Sequence, residues 1–315
     1  MVRLIARRLA ALIPLLLVVS VGVFMLIALV PGDPAVTLAG GTGASPTAIA
    51  SIRAQLHLSD PLVVQYLHWL EAALHLNFGK SFATGNSVTH DVLVRLPATL
   101  SLVCAAAVVA VIVGVPLGVL AGLRPGGLID RLARLAATAG VSIPGFWLAL
   151  LLISLFAVRL HWLPVSGYTP ITVSFGEWCR SIVLPAASLG LGAAATIARQ
   201  LRRSLIDVMS SNYVRTAWAK GAGPVRVVGV HALKNAAIPA VTVFGLYVGS
   251  LLGGTVVVEQ IFSVPGVGNY MLQGIVNHDL PAVQGVTLVF VMFQLGIGLL
   301  VDISYGYLNP RVRVS

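Results

Sequence analysis

Residues 96–123 read LPATLSLVCAAAVVAVIVGVPLGVLAGL, without one Asp, Glu, Lys, Arg or His. A helix needs about 20 mostly apolar residues to cross the hydrocarbon core of a bilayer. Each Arg, Lys or Asp at its centre would cost roughly 2.5–3.5 kcal/mol of insertion free energy. Runs free of Asp, Glu, Lys and Arg are therefore the unit that decides the fold. Working outward from 96–123, they recur at 9–32, 135–158, 181–198, 235–258 and 280–301, which predicts six transmembrane helices. The composition agrees: 57% of the 315 residues are hydrophobic and 10% charged, against about 25% charged in soluble domains. The chain reads as an all-α polytopic membrane protein.

Other classes drop out. Apolar content excludes disorder, and two cysteines, Cys104 and Cys179, do not make a disulfide scaffold. The net charge of +10 suggests nucleic acid at first. The basic residues are scattered between apolar runs rather than gathered on one domain, so no nucleic-acid partner is expected. Three further charge-poor stretches, 34–52, 160–176 and 260–278, are broken by Gly, Pro and polar residues. In lipid the backbone groups freed there would stay unpaired, so they read as loops or short re-entrant pieces. The run at 181–198 is the weakest span, being interrupted by Pro185, Gly190 and Gly192, and its Ala/Gly content suits helix–helix contact. The 24-residue run at 9–32 follows Arg3, Arg7 and Arg8. It is longer than the 7–15 residues of a signal-peptide core, which favours a retained anchor.

The positive-inside rule sets orientation. One side would hold Arg3, Arg7, Arg8, Arg124, Arg131, Arg134, Arg199, Arg202, Arg203, Arg215, Lys220, Arg226, Lys234, Arg311 and Arg313, leaving the other with Arg53, Lys80, Arg95, Arg159 and Arg180. Both termini are expected to be cytoplasmic.

Two loops are long enough to do more than connect. The outer segment shows a helix start at Ser45-Pro46 with Ile49, Ile52 and Leu56 at helical spacing, then a stripe of Val63, Leu67, Leu70 and Leu74. These are expected to be short amphipathic extracytoplasmic helices. His57, His68, His75 and His90 share the segment without metal-ligand spacing, so no metal is expected. The inner segment 199–234 contains a helix that Ser210, Ser211 or Asn212 caps and that Gly221, with Gly223-Pro224, stops. On it Tyr213, Ala217 and Lys220-Gly221 share one side, and Val214 and Trp218 the next. So short a helix is marginal alone in water. Its residues fit docking into a partner's groove and lying on the membrane surface equally well.

No catalytic residues emerge: there is no P-loop, HExxH or GxSxG. The acids Asp33, Glu259 and Asp302 sit near span ends, where a helix-end or loop-anchoring role is expected. A self-contained secondary carrier would show a mid-span ionisable group or inverted repeats, and a membrane protease a catalytic pair within the spans. Neither is visible.

At this point the residues resemble a known family. The inner loop NYVRTAWAKGAG (212–223) followed by HALKNAAIPAVTVFG (231–245) is similar to the cytoplasmic loop of permease subunits of binding-protein-dependent ABC importers. Within them it looks like the B-type subunit of the dipeptide/oligopeptide/nickel branch. Supporting stretches are RRLAALIPLLLVVSVGVFMLIALVPGDPA (7–35), NFGKSF (77–82), VLVRLPATLSL (92–102), VVVEQIFSVPGVG (256–268) and YGYLNPRVR (305–313). The general signature of that loop begins Glu-Ala-Ala. Here Arg215-Thr216-Ala217 and Gly221 stand at those positions, so its acid is absent.

The resemblance implies a type I ABC importer permease fold: a first transmembrane helix (1–32), an extracytoplasmic loop with short helices (33–95) and a permease core (96–315) with a coupling helix at about 211–221. It implies a chain that is not an enzyme, multi-pass in the bacterial cytoplasmic (inner) membrane. The implied partners are a second, C-type permease, two cytoplasmic ATPases that hold the ATP and magnesium, and an extracytoplasmic substrate-binding protein. Short peptides would cross by alternating access, while nickel complexes or glutathione remain open as cargo. The implied ATPase contacts are Tyr213, Arg215, Thr216, Ala217, Lys220, Gly221 and Ala222. Glu259, Phe262, Pro265, Gly266 and Gly268 would form a gate loop facing the binding protein. The Pro265-Gly266-Val267-Gly268 turn either enters that protein's cleft or only plugs the outer mouth. Thr242, Tyr247, Ser250 and Thr255 are the polar candidates for the translocation path, or else hold helices together.

Overall fold

The computed structural model describes residues 2–29, 35–36, 43, 45–55 and 58–308. The helices are α1 (Val2–Leu29), α2 (Pro46–Gln55), α3 (Leu62–Leu74), α4 (Val88–Leu123), α5 (Leu128–Ser142) and α6 (Gly145–Leu152), the last extended by a π-helical stretch, Ile153–Arg159. They continue with α7 (Phe175–Met209), α8 (Asn212–Ala219), α9 (Leu233–Phe262), α10 (Val267–Val276) and α11 (Leu280–Leu308). A helical lead-in, Pro224–Arg226 and π-helical Val227–Ala232, runs straight into α9. Among the described residues the only β pairing is an isolated bridge, Lys80 to Ser87. The predicted Leu56, His57, Asp33, Arg311 and Arg313 lie outside the described residues.

Among the described residues four helices are long and apolar enough to cross a membrane: α4, α7, α9 with its lead-in, and α11. The expected third span is not straight. α5 and the α6 segment meet at a 107° bend and would make a fifth span if counted as one. Ile143 is extended and Pro144 has no N–H to continue the ladder, so the helix breaks there. Within α1, a helix of 28 residues, Leu12–Leu26 is an apolar stretch. Six spans are the reading of the sequence; among the described residues four, or five with the bent pair, are long and apolar enough. The weakest run, 181–198, proves to be the middle of a 35-residue helix, α7. Pro185 sits inside it, and the Ser188 hydroxyl bonds the Pro185 carbonyl at 2.8 Å.

The chain divides into two compact units: 1–6, 98–265 and 293–315 form the first, and 7–97 with 266–292 the second.

In the first unit the core sits along α7. Gly114, Gly118 and Gly122 of α4 recur every four residues and so share one face. A Cβ on Gly114 would lie 2.7 Å from the Ala194 carbonyl oxygen, and one on Gly118 2.9 Å from that of Ala198. Gly190 of α7 returns the arrangement, 2.5 Å from the Ala106 carbonyl oxygen. Helices in lipid gain little from hydrophobicity against one another, so small residues that let backbones approach drive association. Gly245 and Gly249 of α9 likewise seat Val301 and Gln294 of α11. Polar ties complete the unit. Asp130 of α5, 1% exposed, accepts from the Gly126 N–H at 2.8 Å and from both Nε and Nη2 of Arg202, the latter at 2.9 Å. Trp178 Nε1 donates to Ser101 at 2.7 Å.

In the second unit, α3 meets α1 through aromatic rings, with Phe24 5.6 Å from Tyr66 and 5.8 Å from Trp69. Of the stripe read from the sequence, Val63, Leu67 and Leu74 are exposed and Leu70 is half-buried. Asp279 is 2% exposed and fastens the segment around Lys80–Ser87 to the start of α11. It accepts from Ser81 Oγ at 2.5 Å, the Phe82 N–H at 2.9 Å and the Ala282 N–H at 3.4 Å. Val88, Val92, Val267, Tyr270, Ala282 and Val286 close the apolar core beside it. Burial, with Asp91 and Asp279 nearby, pushes the Tyr270 phenol up to about 12, so the ring is neutral at physiological pH. The Arg95 guanidinium lies 5.0 Å above it, a cation–π contact.

Two outcomes follow from this packing. Gly118→Leu forces a side chain against backbone and should cost about 3 kcal/mol, whereas Gly296→Leu, with no atom within 4 Å, should be nearly neutral; thermal unfolding in detergent compares them, and equal effects would refute the close-approach account. Asp279→Ala strands three donors, at about 1–3 kcal/mol each where buried, and should expose the 80–87 segment to protease well before global unfolding.

Candidate functional site

The segment between α7 and α9 is built around α8. Ser211 turns its hydroxyl back to the Val208 carbonyl at 2.5 Å and makes no side-chain cap to α8. The far end is closed by a paired C-terminal motif: the Ala222 N–H reaches the Ala217 carbonyl at 3.2 Å and the Gly221 N–H that of Trp218 at 2.9 Å. Gly221 takes φ +79°, the left-handed region that a β-branched residue does not accommodate without strain. A helix this short needs an anchor. Val214 supplies it, fully buried, while its neighbour in the sequence pattern, Trp218, stays 43% exposed. Asn235, in the first turns of α9, donates to the Tyr213 hydroxyl at 3.0 Å. This residue escaped sequence reading because a lone polar side chain at a span end carries no pattern.

One face of α8 borders an open cleft of about 420 Å³, lined by Tyr213, Thr216, Ala217, Lys220, Gly221 and Ala222 on one side and by Arg226 and His231 of the lead-in on the other. Of the residues expected at an ATPase contact, Arg215 alone is outside this lining, exposed on another face. Lys220 and Arg226 make the rim basic.

The expected gate residues are arranged differently from a free loop. Glu259 and Phe262 belong to the last turn of α9 and are 0% and 2% exposed. The Glu259 carboxylate accepts from Thr99 Oγ1 of α4 at 2.7 Å, deep in the first unit, so the acid read as interfacial is buried. Pro265 is exposed at the turn, Gly266 is buried, and Gly268 already lies in α10. Sequence breakers suggested more loop than exists: Ser263, at φ +53°, ends α9 and α10 restarts three residues after Val264.

The expected path residues split. Thr242, Ser250 and Thr255 each donate to a carbonyl of α9 itself, at 3.1, 2.8 and 2.8 Å. Tyr247 donates across to the Leu189 carbonyl of α7 at 3.0 Å and so joins two helices. Thr255 is fully buried. Only Ser250 is exposed, on a stripe with Leu246, Gly253 and Val257.

Comparison with known proteins places the chain. It is 41% identical to the di/tripeptide transport system permease protein DppB of Pseudomonas aeruginosa, over 99% of both chains. It is 37% identical to the dipeptide transport system permease protein DppB of Escherichia coli K12, again over 99% of each. A chain from inward-facing structures of the MetNI methionine ABC transporter shares the fold, at TM-score 0.57 and 20% identity, covering 69% of this chain and 96% of that one. Residues 1–103 match the N-terminal region of membrane components of binding-protein-dependent transport systems. Residues 114–314 match their inner membrane component, and the chain belongs to that permease family, with the type I ABC importer permease fold.

Proposed function

We propose that the chain is the permease subunit of an ABC importer that carries short peptides into the cytoplasm. In this reading it pairs with a second, homologous permease, receives peptide from an extracytoplasmic binding protein, and is driven by two cytoplasmic ATPases that hold all the ATP and magnesium. It has six spans, α1 included, with both termini cytoplasmic. The peptide cargo is supported by the names of its full-length relatives, and the mechanical role by one observation above all: the cleft beside α8. A helix fixed at its base by Val214 and presenting Tyr213, Thr216, Ala217 and Lys220 to an open basic-rimmed space is suited to grip by a separate protein.

The route for force follows the bonds. α8 is held to α9 by Asn235 and Tyr213, and α9 with its lead-in is one run, Pro224–Phe262, of 39 residues, about 58 Å long at 1.5 Å per residue. Movement of α8 is therefore delivered to a rod that spans the first unit and ends at Glu259. ATPase closure would draw α8 of the two permeases together and tilt these rods, switching the path from inward-open to outward-open. The π-helical turn in the lead-in is a site where such a rod can adjust its register. Burial of Pro265's neighbours favours a plug over a finger that enters the binding protein.

Gly221→Val places a β-branched residue at φ +79°, a strain of roughly 1–3 kcal/mol. In the assembled transporter in liposomes it should lower binding-protein-stimulated ATP hydrolysis and peptide uptake about tenfold or more while the chain still inserts. Normal stimulated turnover would reject α8 as the docking helix. Concentration of peptide by this chain alone, without ATPases, would reject the importer reading itself.

A further inference from the structure

A second cleft, of about 200 Å³, opens between α4, α5 and α7, where Arg134, Thr138, Arg199, Arg202 and Arg203 meet around Ala121 and Ala198. Its charges do not balance. Asp130 is spent on Arg202, which holds it through two guanidinium nitrogens, with the Gly126 N–H as a third donor. Arg134 stands off, 3.7 Å from the same carboxylate with its side chain 56% exposed. Arg199 gives Nη2 to the Ala137 carbonyl at 3.0 Å and keeps its other donors. Arg203 has no side-chain partner among the described residues and is exposed. Three guanidinium groups with uncommitted donors and one hydroxyl thus converge on a space of small-anion size, and guanidinium forks match phosphate oxygens.

The position selects the kind of phosphate. The cleft lies where two apolar runs stop: the run from Leu135 begins beside Arg134, and the run on α7 ends at Ala198, one residue before Arg199. One helical turn from Thr138 into the run, Val141 lies on the cleft side of α5 and is 54% exposed. A soluble anion would use the arginines alone, whereas a phosphodiester carrying acyl chains meets the arginines at the boundary and apolar surface beyond it. Basic pockets between spans at a membrane surface bind anionic headgroups in this way. We infer that this cleft is a binding site for the phosphate of an anionic phospholipid, with its acyl chains running past Val141 along the apolar run that begins at Leu135. The site is separate from the α8 cleft and does not depend on the transport reading.

The test uses the full chain in a neutral maltoside detergent, followed by tryptophan fluorescence on heating. Dioleoylphosphatidylglycerol should raise the unfolding midpoint saturably, and dioleoylphosphatidylcholine should not. Arg134→Gln and Arg203→Gln should each weaken the apparent affinity for phosphatidylglycerol about fivefold, whereas Lys234→Gln, an exposed cation outside the cleft, should leave it unchanged. Counting phosphatidylglycerol retained per chain by native mass spectrometry gives a second readout that does not rely on unfolding, and Arg203→Gln should lower it. Equal shifts from phosphatidylcholine, or equal loss in Lys234→Gln, would overturn the site. Sodium phosphate or glycerol 3-phosphate reproducing the whole shift would overturn the lipid assignment in favour of a soluble anion. Unchanged lipid binding in both arginine variants would refute the proposal.

Discussion

The first unit depends on how closely the backbones of α4 and α7 approach. At Gly114 and Gly118 the missing Cβ is what admits the carbonyls of Ala194 and Ala198, and at Gly190 the relation is reversed. Contact of this kind is short-ranged: a gap of an ångström forfeits much of the dispersion well, and lipid offers no hydrophobic penalty to close it again. Once α7 is seated, its other faces can hold α5 through Asp130 and Arg202 and α9 through the Tyr247 bond to Leu189. Glycine in a helix is costly in water, but a helix inside a bilayer has no solvated alternative for its backbone. The same residues that make the run at 181–198 look weak are those that let it become the centre.

That inversion explains much of what could and could not be read in the sequence. Insertion is governed by charge and length, so the long apolar helices follow directly from runs free of acidic and basic residues. Packing is governed by which face meets which neighbour, and a single chain does not display its neighbours. The leucine stripe of α3 was legible, but the rings of Tyr66 and Trp69, which make its contact with α1, carried no such pattern. A straight third span was expected although Pro144 stood in it, because the run is apolar on both sides of the proline. The glycine spacing in 114–122 was legible in principle as small residues four apart, and is the signal that would have placed α4 against α7.

Polarity misleads in a related way. Hydroxyls in a span look like path-lining groups, yet Thr242, Ser250 and Thr255 each spend their one proton on a carbonyl of their own helix. Such a group keeps lone pairs but has no donor left to offer a passing solute. On α9 the exposed stripe is Leu246, Ser250, Gly253 and Val257, of mixed character, with Gly253 open to space. Breaker residues misled in the same segment. Between Gln260 and His278 one proline and three glycines read as a loop or a short re-entrant piece, whereas Ser263 absorbs the left-handed turn alone and α10 follows almost at once.

The acids finish the argument, because their burial shows what each is for. Asp279 satisfies three donors and closes a loop in the second unit, and Asp130 balances Arg202. Glu259 is different in its place, at the end of the rod that begins beside α8. A buried carboxylate is tolerated only while its partners stay in reach, since losing one leaves the charge or the proton without compensation. Thr99 holds it at 2.7 Å from α4, the helix whose glycines seat α7. Displacement of α9 relative to α4 would break that bond. The glycine contacts and the Glu259 bond act on the same helix, so α4 is tied to α7 by close backbone approach and to α9 by a buried polar pair.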